Sequence, residues 1–384
     1  MIVRPLTEYC TLNMGQSPDS KTYNTQGKGL PFYQGNADFG ESHPITRVWC
    51  SAPVKVAEDG DILISVRAPI GAMNMAVERC CIGRGLAALT PIRNKCSKKF
   101  LYYALQSKVD SLIAQGTGST FKAIGKKVLE TTCIPAYSTI EQEQIAETIG
   151  HIDNTIAARR NQLALLDQLV KSRFIELFGD PEKNPKGWPV VNITEIIGGK
   201  VSNGFFAKRE AYRDDGNVQV LGVANIVNRM YSNIESLPRT NATQADEAKY
   251  AVKYGDMLFC RSSLVAEGIG KASIVPKGAP HNVLFECHVI RLPLDLQKCI
   301  PEFVQVLSTT DFFRRQIIAQ SKTATMTTIG QDGILKSMII LPPIEQQREF
   351  LRFVEQTDKS KLAVQKGLQE LEILKKSLMQ QYFG

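Results

Sequence analysis

Loops rich in amide, hydroxyl, aromatic and cationic side chains are the parts of this sequence that could recognise a ligand. Asn and Gln side chains can pair with the edge of adenine, Arg can pair with guanine, and Lys can hold phosphate groups. Each such residue taken alone is also typical of an ordinary solvated loop, so the prediction depends on the pattern, which recurs in two stretches. The candidate nucleic-acid contacts are Gln16, Ser17, Lys21, Tyr23, Lys28, Tyr33, Gln34, Asn36 and Arg67 in the first stretch, and Asn203, Phe205, Lys208, Arg209, Asn225, Arg261 and Ser262 in the second.

Motifs for catalysis are incomplete or missing. The nearest match to a phosphate-binding loop, Gly270-Lys271-Ala272, has Val265 in place of the first glycine and Ala272 in place of the hydroxyl residue. Gly83-Arg84-Gly85 lacks the third glycine of a dinucleotide loop and fits a simple turn. Neither the Asn/Asp-Pro-Pro-aromatic segment of amino-methyltransferases nor the Gly-x-Ser-x-Gly elbow of hydrolases occurs. We therefore expect no catalytic site on this chain.

Composition and charge favour a reduced, non-membrane protein that contacts a polyanion. Of 384 residues, 43% are hydrophobic, and the nine cysteines and four histidines are scattered. No C-x-x-C pair occurs, so we expect reduced thiols, no metal site and no membrane span. Residues 1–10 lack an apolar signal core, which favours a cytoplasmic location. The net charge is +8, with +6 in residues 1–140 and +3 in residues 180–344, so these two blocks are the favoured polyanion contacts.

Two long helices are predicted from the spacing of apolar residues. In residues 141–179 and again in residues 345–384, the spacing alternates between three and four, as in a helix that packs along another helix. Every position of the first series has a counterpart 205 residues later, and both series end in Phe-Gly. The predicted seam residues are Ile145, Ile149, Ile152, Ile156, Leu163, Leu166, Val170 and Leu177 in the first helix, and Phe350, Val354, Val364, Leu368, Leu371, Leu378 and Tyr382 in the second.

Polar residues interrupt this seam, and local signals mark the helix ends. Four basic seam residues either extend to water at the edge or help to fix the register. They are Arg159, Arg173, Lys361 and Lys375. Ser138-x-x-Glu141 and Thr139-x-x-Gln142 both fit a capping box at the start of the first helix, and Gly179 suits its C-terminal cap. Two loops beside the helix bases, Ser119-Thr120-Phe121-Lys122 and Thr325-Met326-Thr327, either contact phosphate or cap helices.

The blocks before the two helices repeat the same landmarks, which indicates an internal duplication. Gly60-Asp61-Ile62-Leu63 matches Gly255-Asp256-Met257-Leu258, and Ile140-Glu141-Gln142 matches Ile344-Glu345-Gln346. We therefore predict an α+β fold in which two similar α/β domains are separated by two long antiparallel helices, with an internal pseudo-two-fold repeat. The predicted parts are a first recognition domain (1–140), a central spacer helix (141–179), a second recognition domain (180–344) and a C-terminal spacer helix (345–384).

The order of these motifs resembles the specificity subunit of type I restriction–modification enzymes, over essentially the whole chain. The resemblance is carried by Gly15-Gln16-Ser17-Pro18, Pro31-Phe32-Tyr33-Gln34-Gly35-Asn36, the Gly-Asp motifs and the helix openings after Pro135 and Pro342-Pro343. It departs from the family pattern at Ala136–Thr139, where the second copy has Pro342-Pro343. The resemblance implies two target recognition domains, each reading one half of a split site in double-stranded DNA.

The same resemblance implies protein partners. Two modification (methyltransferase) subunits would dock on the long helices and carry S-adenosylmethionine and the catalysis, and restriction/translocase subunits would join them. S-adenosylmethionine, ATP and magnesium are thus expected on partner subunits, with no cofactor bound by this chain. Two alternatives remain open at this point. The first alternative to a DNA-reading subunit is a duplicated scaffold that gathers two partner subunits without reading DNA. The second is an enzyme whose site lacks a familiar motif.

Overall fold

The structure, a computed structural model, describes residues 2–118 and 122–384. The chain divides into two units, of which the first comprises Met1–Asn161 with Gln365–Gly384 and the second comprises Gln162–Val364. The boundary therefore falls inside both of the long helices that the sequence predicts. Each unit contains one α/β block and a segment of each long helix.

Short strands and three short helices form the block of the first unit. Its strands are β1 (Val3–Pro5), β2 (Cys10–Met14), β3 (Tyr23–Asn24), β4 (Leu30–Tyr33), β5 (Trp49–Cys50), β6 (Val56–Ala57), β7 (Ile62–Ser65), β8 (Met73–Met75), β9 (Cys80–Ile82), β10 (Leu86–Pro91) and β11 (Cys133–Pro135). Its helices are α1 (Lys98–Ser107), α2 (Val109–Ala114) and α3 (Lys126–Thr131), followed by the long helix α4 (Thr139–Phe178).

The block of the second unit also consists of short strands and short helices and is also followed by a long helix. Its strands are β12 (Val190–Asn192), β13 (Ser202–Asn203), β14 (Val218–Leu221), β15 (Arg239–Thr240), β16 (Asp256–Cys260), β17 (Ser262–Ser263), β18 (Ala272–Ile274), β19 (Val283–Phe285), β20 (Val289–Pro293), β21 (Lys322–Thr323), β22 (Thr327–Thr328) and β23 (Met338–Ile340). Its helices are α5 (Gln244–Tyr250), α6 (Pro301–Ser308), α7 (Asp311–Ala319) and α8 (Gln331–Leu335), followed by the long helix α9 (Ile344–Phe383).

The two blocks share the order of a four-stranded antiparallel sheet and one parallel strand pair, although their second sheets have five strands and three strands. The first has an antiparallel sheet of order β2-β10-β7-β8 and a sheet of order β3-β5-β4-β9-β6, in which β4 and β9 are parallel. The second has the corresponding sheets β13-β20-β16-β18 and β15-β14-β19, with β14 parallel to β19, and a further sheet β17-β22-β21. A short pair, β1-β11 or β12-β23, leads into the long helix of each block. The matching orders support the duplication that the sequence landmarks predict.

The repeated Gly-Asp motif starts the central strand of each block. Gly60 and Gly255 have φ values of +80° and +96°, a backbone region that favours glycine. The carboxylates of Asp61 and Asp256 are buried. Each accepts a hydrogen bond from the backbone N–H three residues earlier, at 2.8 and 3.0 Å. The motif is therefore a buried turn that directs the chain into β7 or β16.

Gln142, in the first turn of α4, is fully buried within the first unit. Its side-chain oxygen accepts a hydrogen bond from the Ser97 N–H at 3.0 Å, and its amide nitrogen donates to the carbonyls of Lys95 and Tyr137, both at 3.0 Å. Ser97 is the N-cap residue of α1. Gln142 therefore ties the start of the long helix to the start of α1.

Of the two predicted capping boxes, the one at Ser138 forms. The Ser138 N–H and hydroxyl donate to the Glu141 carboxylate at 2.8 and 2.7 Å, and the Glu141 N–H donates to the Ser138 hydroxyl at 3.3 Å. These hydrogen bonds lower the pKa of Glu141. The box predicted for Thr139 and Gln142 is wrong, because the Gln142 amide bonds inside the block. Gly179 caps the helix end as predicted, with φ +78°.

The residue of α9 that corresponds to Gln142 is Gln347. It is fully buried, and its side chain accepts a hydrogen bond from the Ile300 N–H at 2.9 Å and donates to the Pro342 carbonyl at 2.7 Å. Ile300 is the N-cap residue of α6, so the link to the block is the same. The pairing of Gln142 with Gln346 predicted from the sequence is therefore wrong by one residue, because Gln346 is exposed.

The last turn of each long helix packs on a short helix of a block. In the second unit, the ring centroid of Phe178 lies 4.8 Å from that of Phe303 in α6. In the first unit, the ring centroid of Phe383 lies 5.4 Å from that of Phe100 in α1. The last turn of α4 therefore packs within the second unit, and the last turn of α9 packs within the first unit.

Side chains of the blocks bond the last carbonyls of both long helices. Tyr137 donates its hydroxyl to the Tyr382 carbonyl at 3.1 Å, and Lys108 donates to the Phe383 carbonyl at 2.8 Å. The Trp188 indole donates to the Phe178 carbonyl at 2.9 Å. Carbonyls at a helix end lack partners within the helix, so these contacts satisfy them and hold the ends in place.

The non-basic residues predicted for the seam are all buried or partly buried. The buried ones are Ile145, Ile149, Ile152, Ile156, Val170, Phe350, Val354 and Val364, and the partly buried ones are Leu163, Leu166, Leu177, Leu368, Leu371, Leu378 and Tyr382. Among residues 2–118 and 122–384, no helix has both the length and the apolar character that crossing a membrane requires.

Ion pairs link α4 to α9 in antiparallel order within each unit. In the first unit, Asp153 pairs with Lys375 at 2.7 Å and Arg160 pairs with Glu372 at 2.8 Å. In the second, Asp167 pairs with Lys361 at 2.7 Å and Arg173 pairs with Glu349 at 3.0 Å. Three of the four basic seam residues therefore pair across the helices, which favours the register role over simple extension to water. The fourth, Arg159, is exposed.

Candidate nucleic-acid interface

The first block gathers the ends of several strands at one edge of its antiparallel sheet. Leu86, at the start of β10, pairs with Ser65 at the end of β7, and its carbonyl accepts a hydrogen bond from the Gly15 N–H, directly after β2. Tyr33, at the end of β4, pairs with Ile82 at the end of β9. The Gln16 N–H donates to the Ile82 carbonyl at 3.1 Å, which joins the two sheets at this point. The loops that follow β2, β4, β7 and β9 therefore meet here, and we call this place the first reading edge.

Five of the predicted contacts lie on the loops of the first reading edge. They are Gln16 and Ser17 after β2, Gln34 and Asn36 after β4, and Arg67 after β7. Gln16, Gln34 and Arg67 are exposed, whereas Ser17 and Asn36 are partly buried. The sequence thus predicted amide, hydroxyl and guanidinium groups that the fold brings to one place, although their strands are far apart in the chain.

Glycines allow these loops to approach closely. A Cβ atom at Gly15 would lie 2.1 Å from the Gly83 carbonyl oxygen, and one at Gly85 would lie 2.3 Å from the Gln34 carbonyl oxygen. Arg84 is exposed between the two glycines of its turn, and its N–H donates to the Ser17 hydroxyl at 3.2 Å. The sequence predicted this turn but did not indicate Arg84 as a candidate contact. The signal available was an arginine flanked by two glycines.

The other four contacts predicted for the first block lie outside this edge or inside the protein. They are Lys21, Tyr23, Lys28 and Tyr33. The prediction for Tyr33 is wrong, because Tyr33 is 2% exposed and its hydroxyl is hydrogen-bonded to the Thr46 hydroxyl at 2.7 Å, as in a core residue. The Tyr23 hydroxyl donates to the Pro18 carbonyl at 2.9 Å, and its ring stacks on Phe32 at 4.6 Å. The two lysines are exposed around β3 and stay predictions.

The second block forms an equivalent edge, the second reading edge. Val289, at the start of β20, pairs with Cys260 at the end of β16, and its carbonyl accepts a hydrogen bond from the Gly204 N–H after β13. Leu221, at the end of β14, pairs with Phe285 at the end of β19. The predicted contacts on this edge are Asn203, Phe205, Asn225, Arg261 and Ser262, all partly buried. Lys208 and Arg209 are exposed on the loop that continues from Phe205.

Hydrogen bonds fix several side chains of the second reading edge. The Asn225 amide oxygen accepts from the Gly222 N–H at 3.0 Å, so this side chain shapes its own turn. Arg261 donates to the Cys287 carbonyl at 3.1 Å, and the Ser262 hydroxyl lies 3.2 Å from His288 Nδ1. These side chains are therefore preorganised by the neighbouring loop, which limits how far they can move toward a ligand.

The two reading edges differ in their chemistry at the equivalent turn between β9 and β10 or between β19 and β20. The first edge has Gly83-Arg84-Gly85 and the second has Glu286-Cys287-His288. The Glu286 carboxylate accepts a hydrogen bond from the Val223 N–H at 2.9 Å. The turn of the second edge therefore carries the negatively charged carboxylate of Glu286, whereas the turn of the first edge carries the positively charged guanidinium of Arg84.

One of the two threonine loops can be assigned. Ser119-Thr120-Phe121 lies outside the described residues, and the adjacent Lys122 is exposed. Thr327 belongs to β22, which pairs with β17, and its hydroxyl lies 3.0 Å from that of Thr323. The helix-capping interpretation of residues 325–327 is therefore wrong, because these residues form a hairpin beside Ser262.

The paired cysteines of β9 are core residues. Cys80 and Cys81 are fully buried, and burial raises the pKa of each thiol to about 12. Neutral thiols in a core neither bind metals nor attack substrates at neutral pH. Within residues 2–118 and 122–384, no group of three or more His, Cys, Asp or Glu side chains is placed to hold a metal ion.

Comparisons with known proteins agree with this architecture. A family model described as the type I restriction modification DNA specificity domain matches residues 1–168 and 185–373. The MjaX protein of Methanocaldococcus jannaschii, described as a type I restriction enzyme specificity subunit, is 41% identical over 164 residues, which are 43% of this chain and 39% of that protein. The MjaIX specificity subunit of the same organism is 22% identical over 395 residues, covering 95% of this chain and 88% of that protein.

A solved structure shows the same fold. The crystal structure of the type I restriction–modification S subunit from M. genitalium matches with a TM-score of 0.56 and covers 100% of this chain and 96% of that chain. The sequence identity is 15%, so this likeness concerns the fold alone.

Proposed function

We propose that this chain, which belongs to the family of type I restriction–modification DNA specificity domains, reads a two-part site in double-stranded DNA and assembles modification subunits around it. Specificity subunits are a non-catalytic family, and catalysis in these systems lies in partner subunits. The observation that carries the proposal is that two blocks with the same order of antiparallel strands each gather polar loops at the same edge.

Unlike chemistry at the two reading edges supports the reading of two different half-sites. Arg84 on the first edge can donate to guanine, whereas Glu286 on the second can accept from the amino group of cytosine. Gln16 and Gln34 are exposed and can pair with adenine. A scaffold that only gathered two copies of one partner would need two like surfaces, so the difference favours DNA reading over the scaffold alternative.

The long helices are the proposed spacer and docking surface for the modification subunits. Large apolar side chains on them are exposed, which is typical of protein interaction surfaces. These are Ile140, Leu165, Leu169, Ile175, Leu362, Ile373 and Leu374. Leu169 and Leu374 are related by the 205-residue repeat and are similarly exposed, at 48% and 46%. This equivalence suits two copies of the same modification subunit.

The proposal is tested by sequencing the methylome of cells that contain this chain and its modification subunit. We expect a bipartite motif with a modified adenine in each half. Exchanging residues 1–140 for the corresponding block of a relative should change one half of the motif and leave the other unchanged. An exchange that alters both halves, or neither, would contradict the assignment of one block to one half-site.

Two further measurements separate the alternatives. Affinity of the complex for DNA should fall steeply as salt rises, because phosphate contacts release counterions, whereas a scaffold would show no such dependence. The purified chain alone, incubated with DNA and S-adenosylmethionine, should transfer no methyl group. Methyl transfer without a partner would support the third alternative, an enzyme with an unfamiliar site.

A further inference from the structure

A cavity of about 360 Å³ lies within the second unit, between the long helices and the block. It is lined by residues of α4, α6, α7 and α9 and by the two loops that precede β18 or contact it. Its basic lining residues are Lys171, Arg229, Lys271, Arg314 and Lys361, and its acidic lining residue is Asp167. The cavity therefore carries a clear excess of positive charge.

Within the described part of the chain, one of these five cations forms an ion pair in the cavity. Lys361 pairs with Asp167 at 2.7 Å and also lies 3.5 Å from Asp358. Lys271 donates to the neutral amide oxygen of Asn228 at 2.7 Å. Across the part of the chain that the structure describes, the ion pairs include none formed by Arg229, Lys271 or Arg314. Their charges are therefore available to an anion.

Arg314 has an unused hydrogen-bond donor. Its Nη2 atom donates to the Glu267 carbonyl at 3.1 Å, but its Nη1 atom is buried and has no hydrogen-bond partner among the residues that the structure describes. Burial also lowers the pKa of this guanidinium. A buried, unpaired donor is unfavourable, and an oxyanion is the acceptor that a guanidinium binds best. The Arg314 guanidinium therefore adds positive charge to the cavity that Lys271 also lines.

The corresponding cavity of the first unit lacks this charge excess. It has a volume of about 550 Å³ and is lined by basic and acidic residues in nearly equal number. These are Lys108, Arg160, Lys375 and Lys376, with Asp110, Asp153 and Glu372. The ion pairs Lys375–Asp153 and Arg160–Glu372 neutralise most of them. The positive cavity is thus a property of the second unit and not a consequence of the shared scaffold.

The loop that carries the second reading edge also forms one wall of this cavity. Residues 261–270 lead from Arg261 and Ser262 to Lys271, and the Gly270 N–H donates back to the Cys260 carbonyl at 2.8 Å. The hydrogen bond from Arg314 reaches the same loop at Glu267. An anion held by Lys271 and Arg314 would therefore lie next to the residues predicted to contact bases.

We propose that this cavity binds a phosphate group of the DNA backbone beside the half-site that the second block reads. This inference rests on the proposed function, because it needs bound DNA. Phosphate contacts by Arg and Lys fix the position of a protein on the duplex without reading sequence. The cavity would thus set the register of the second reading edge on its half-site.

The test uses the full chain in complex with its modification subunits and a duplex that contains the motif found by methylome sequencing. The slope of log K against log salt is measured for the wild type and for Arg314→Gln, Lys271→Gln and the exposed Arg229→Gln. Each loss of a phosphate contact should reduce the slope by about 1 and weaken binding equally for duplexes with altered second half-sites. Arg314→Lys, which keeps the charge, should keep most of the slope.

Lys298→Gln is the matched control, because Lys298 lies outside the cavity and donates to the Glu195 carbonyl. It should leave the slope unchanged. Thermal unfolding and subunit composition of each complex show that the variants fold and assemble. Unchanged slopes in all three cavity variants would overturn the assignment. So would loss of a modification subunit with an intact slope, because the cavity would then hold an acidic segment of protein.

Titration with inorganic phosphate at constant ionic strength distinguishes a free anion from the DNA backbone. If phosphate raises the Tm of the wild type but not of Arg314→Gln, while both show the same DNA slope, the cavity takes free phosphate and the assignment to DNA is overturned. A wild-type complex without salt-dependent DNA binding would overturn the proposed function as well, whereas altered slopes only in the cavity variants would support both.

Discussion

At the scale of single residues, a buried amide in the first turn of each long helix has the largest structural role. Gln142 and Gln347 each bond the N-cap N–H of a block helix and a carbonyl five residues earlier. Sequence patterns could not predict this, because glutamine near a helix start is usually exposed or part of a capping box. The offset of 205 residues pairs Gln142 with Gln347, which is the correct match. The Ile-Glu-Gln motif at residues 344–346 indicated Gln346 instead.

Replacing Gln347 with alanine should destabilise the second unit by about 1–3 kcal/mol, because the Ile300 N–H and the Pro342 carbonyl would lose their buried partner. The free energy of unfolding in urea measures this. Gln346→Ala removes the same side chain from an exposed neighbouring site and should change stability by less than about 0.5 kcal/mol. Equal effects of the two substitutions would show that the buried hydrogen bonds contribute little.

Glu302 of α6 predicts a pH dependence. It is 1% exposed and accepts hydrogen bonds from the hydroxyls of Tyr231 and Tyr254 at 3.1 Å. Burial raises the pKa of Glu302 in the folded chain, although these hydrogen bonds and Lys277 oppose the shift. The protonated form is thus favoured on folding, and its contribution to stability is complete below the pKa of the unfolded chain and is lost as pH rises through the folded pKa.

Glu302→Gln should therefore gain stability relative to the wild type as pH rises from about 4.5 through the folded pKa, and the difference should then stay constant. Urea unfolding of both proteins over this pH range provides the measurement. The exposed Glu235→Gln serves as control and should show no such change with pH. If Glu302→Gln instead loses stability relative to the wild type as pH rises, the ionised carboxylate is the form that folding favours.

At the scale of elements, the sequence predicted the long helices well because their signals are local. Heptad spacing, the capping box at Ser138 and the glycine cap at Gly179 each depend on residues a few positions apart. The packing of the C-terminal ends of the two helices was not predicted. Phe178 and Phe383 looked like terminal residues, yet they are 0% and 1% exposed, because their partners lie on distant block helices.

Exposed leucines on these helices predict how partners bind. Leu169→Glu and Leu374→Glu should each reduce the number of modification subunits per chain from the proposed two to one, because a charge would enter an apolar interface. Mass measurement of the purified complex counts the subunits. Gln168→Glu places the same charge next to Leu169 on an already polar site and should leave two subunits bound. Retention of both subunits by the double leucine variant would place the docking surface elsewhere.

At the scale of the whole molecule, the repeated blocks and helices could be predicted because duplication leaves matched landmarks along the chain. The reading edges could be predicted only in part. Gln16 and Arg67 follow β2 and β7 of one sheet and Gln34 follows β4 of the other sheet, so their proximity depends on how the two sheets meet and not on spacing in the sequence. Tyr33 has a side chain suited to a base contact, but sheet order places it in the core.

The unit boundaries at Asn161/Gln162 and Val364/Gln365 are the places to lengthen the proposed spacer. Inserting one heptad at both positions should increase the distance between the two halves of the methylated motif by about 3 base pairs, at 1.5 Å per helical residue and 3.4 Å per step. The methylome of cells carrying the variant shows the spacing. A heptad in one helix alone should abolish methylation, since the antiparallel seam would lose its register. An unchanged motif in the double insertion would exclude a ruler role.

The contact between Phe383 and Phe100 has a consequence for how the protein is made. A ribosome finishes the first block roughly 240 residues before it reaches Phe383, a wait of about 12–50 s at typical elongation rates of about 5–20 residues per second. During this time the nascent block lacks the aromatic ring that covers α1, so it leaves the exit tunnel with an apolar surface that chaperones can bind. The part of the protein that is translated first is therefore among the last to be completed.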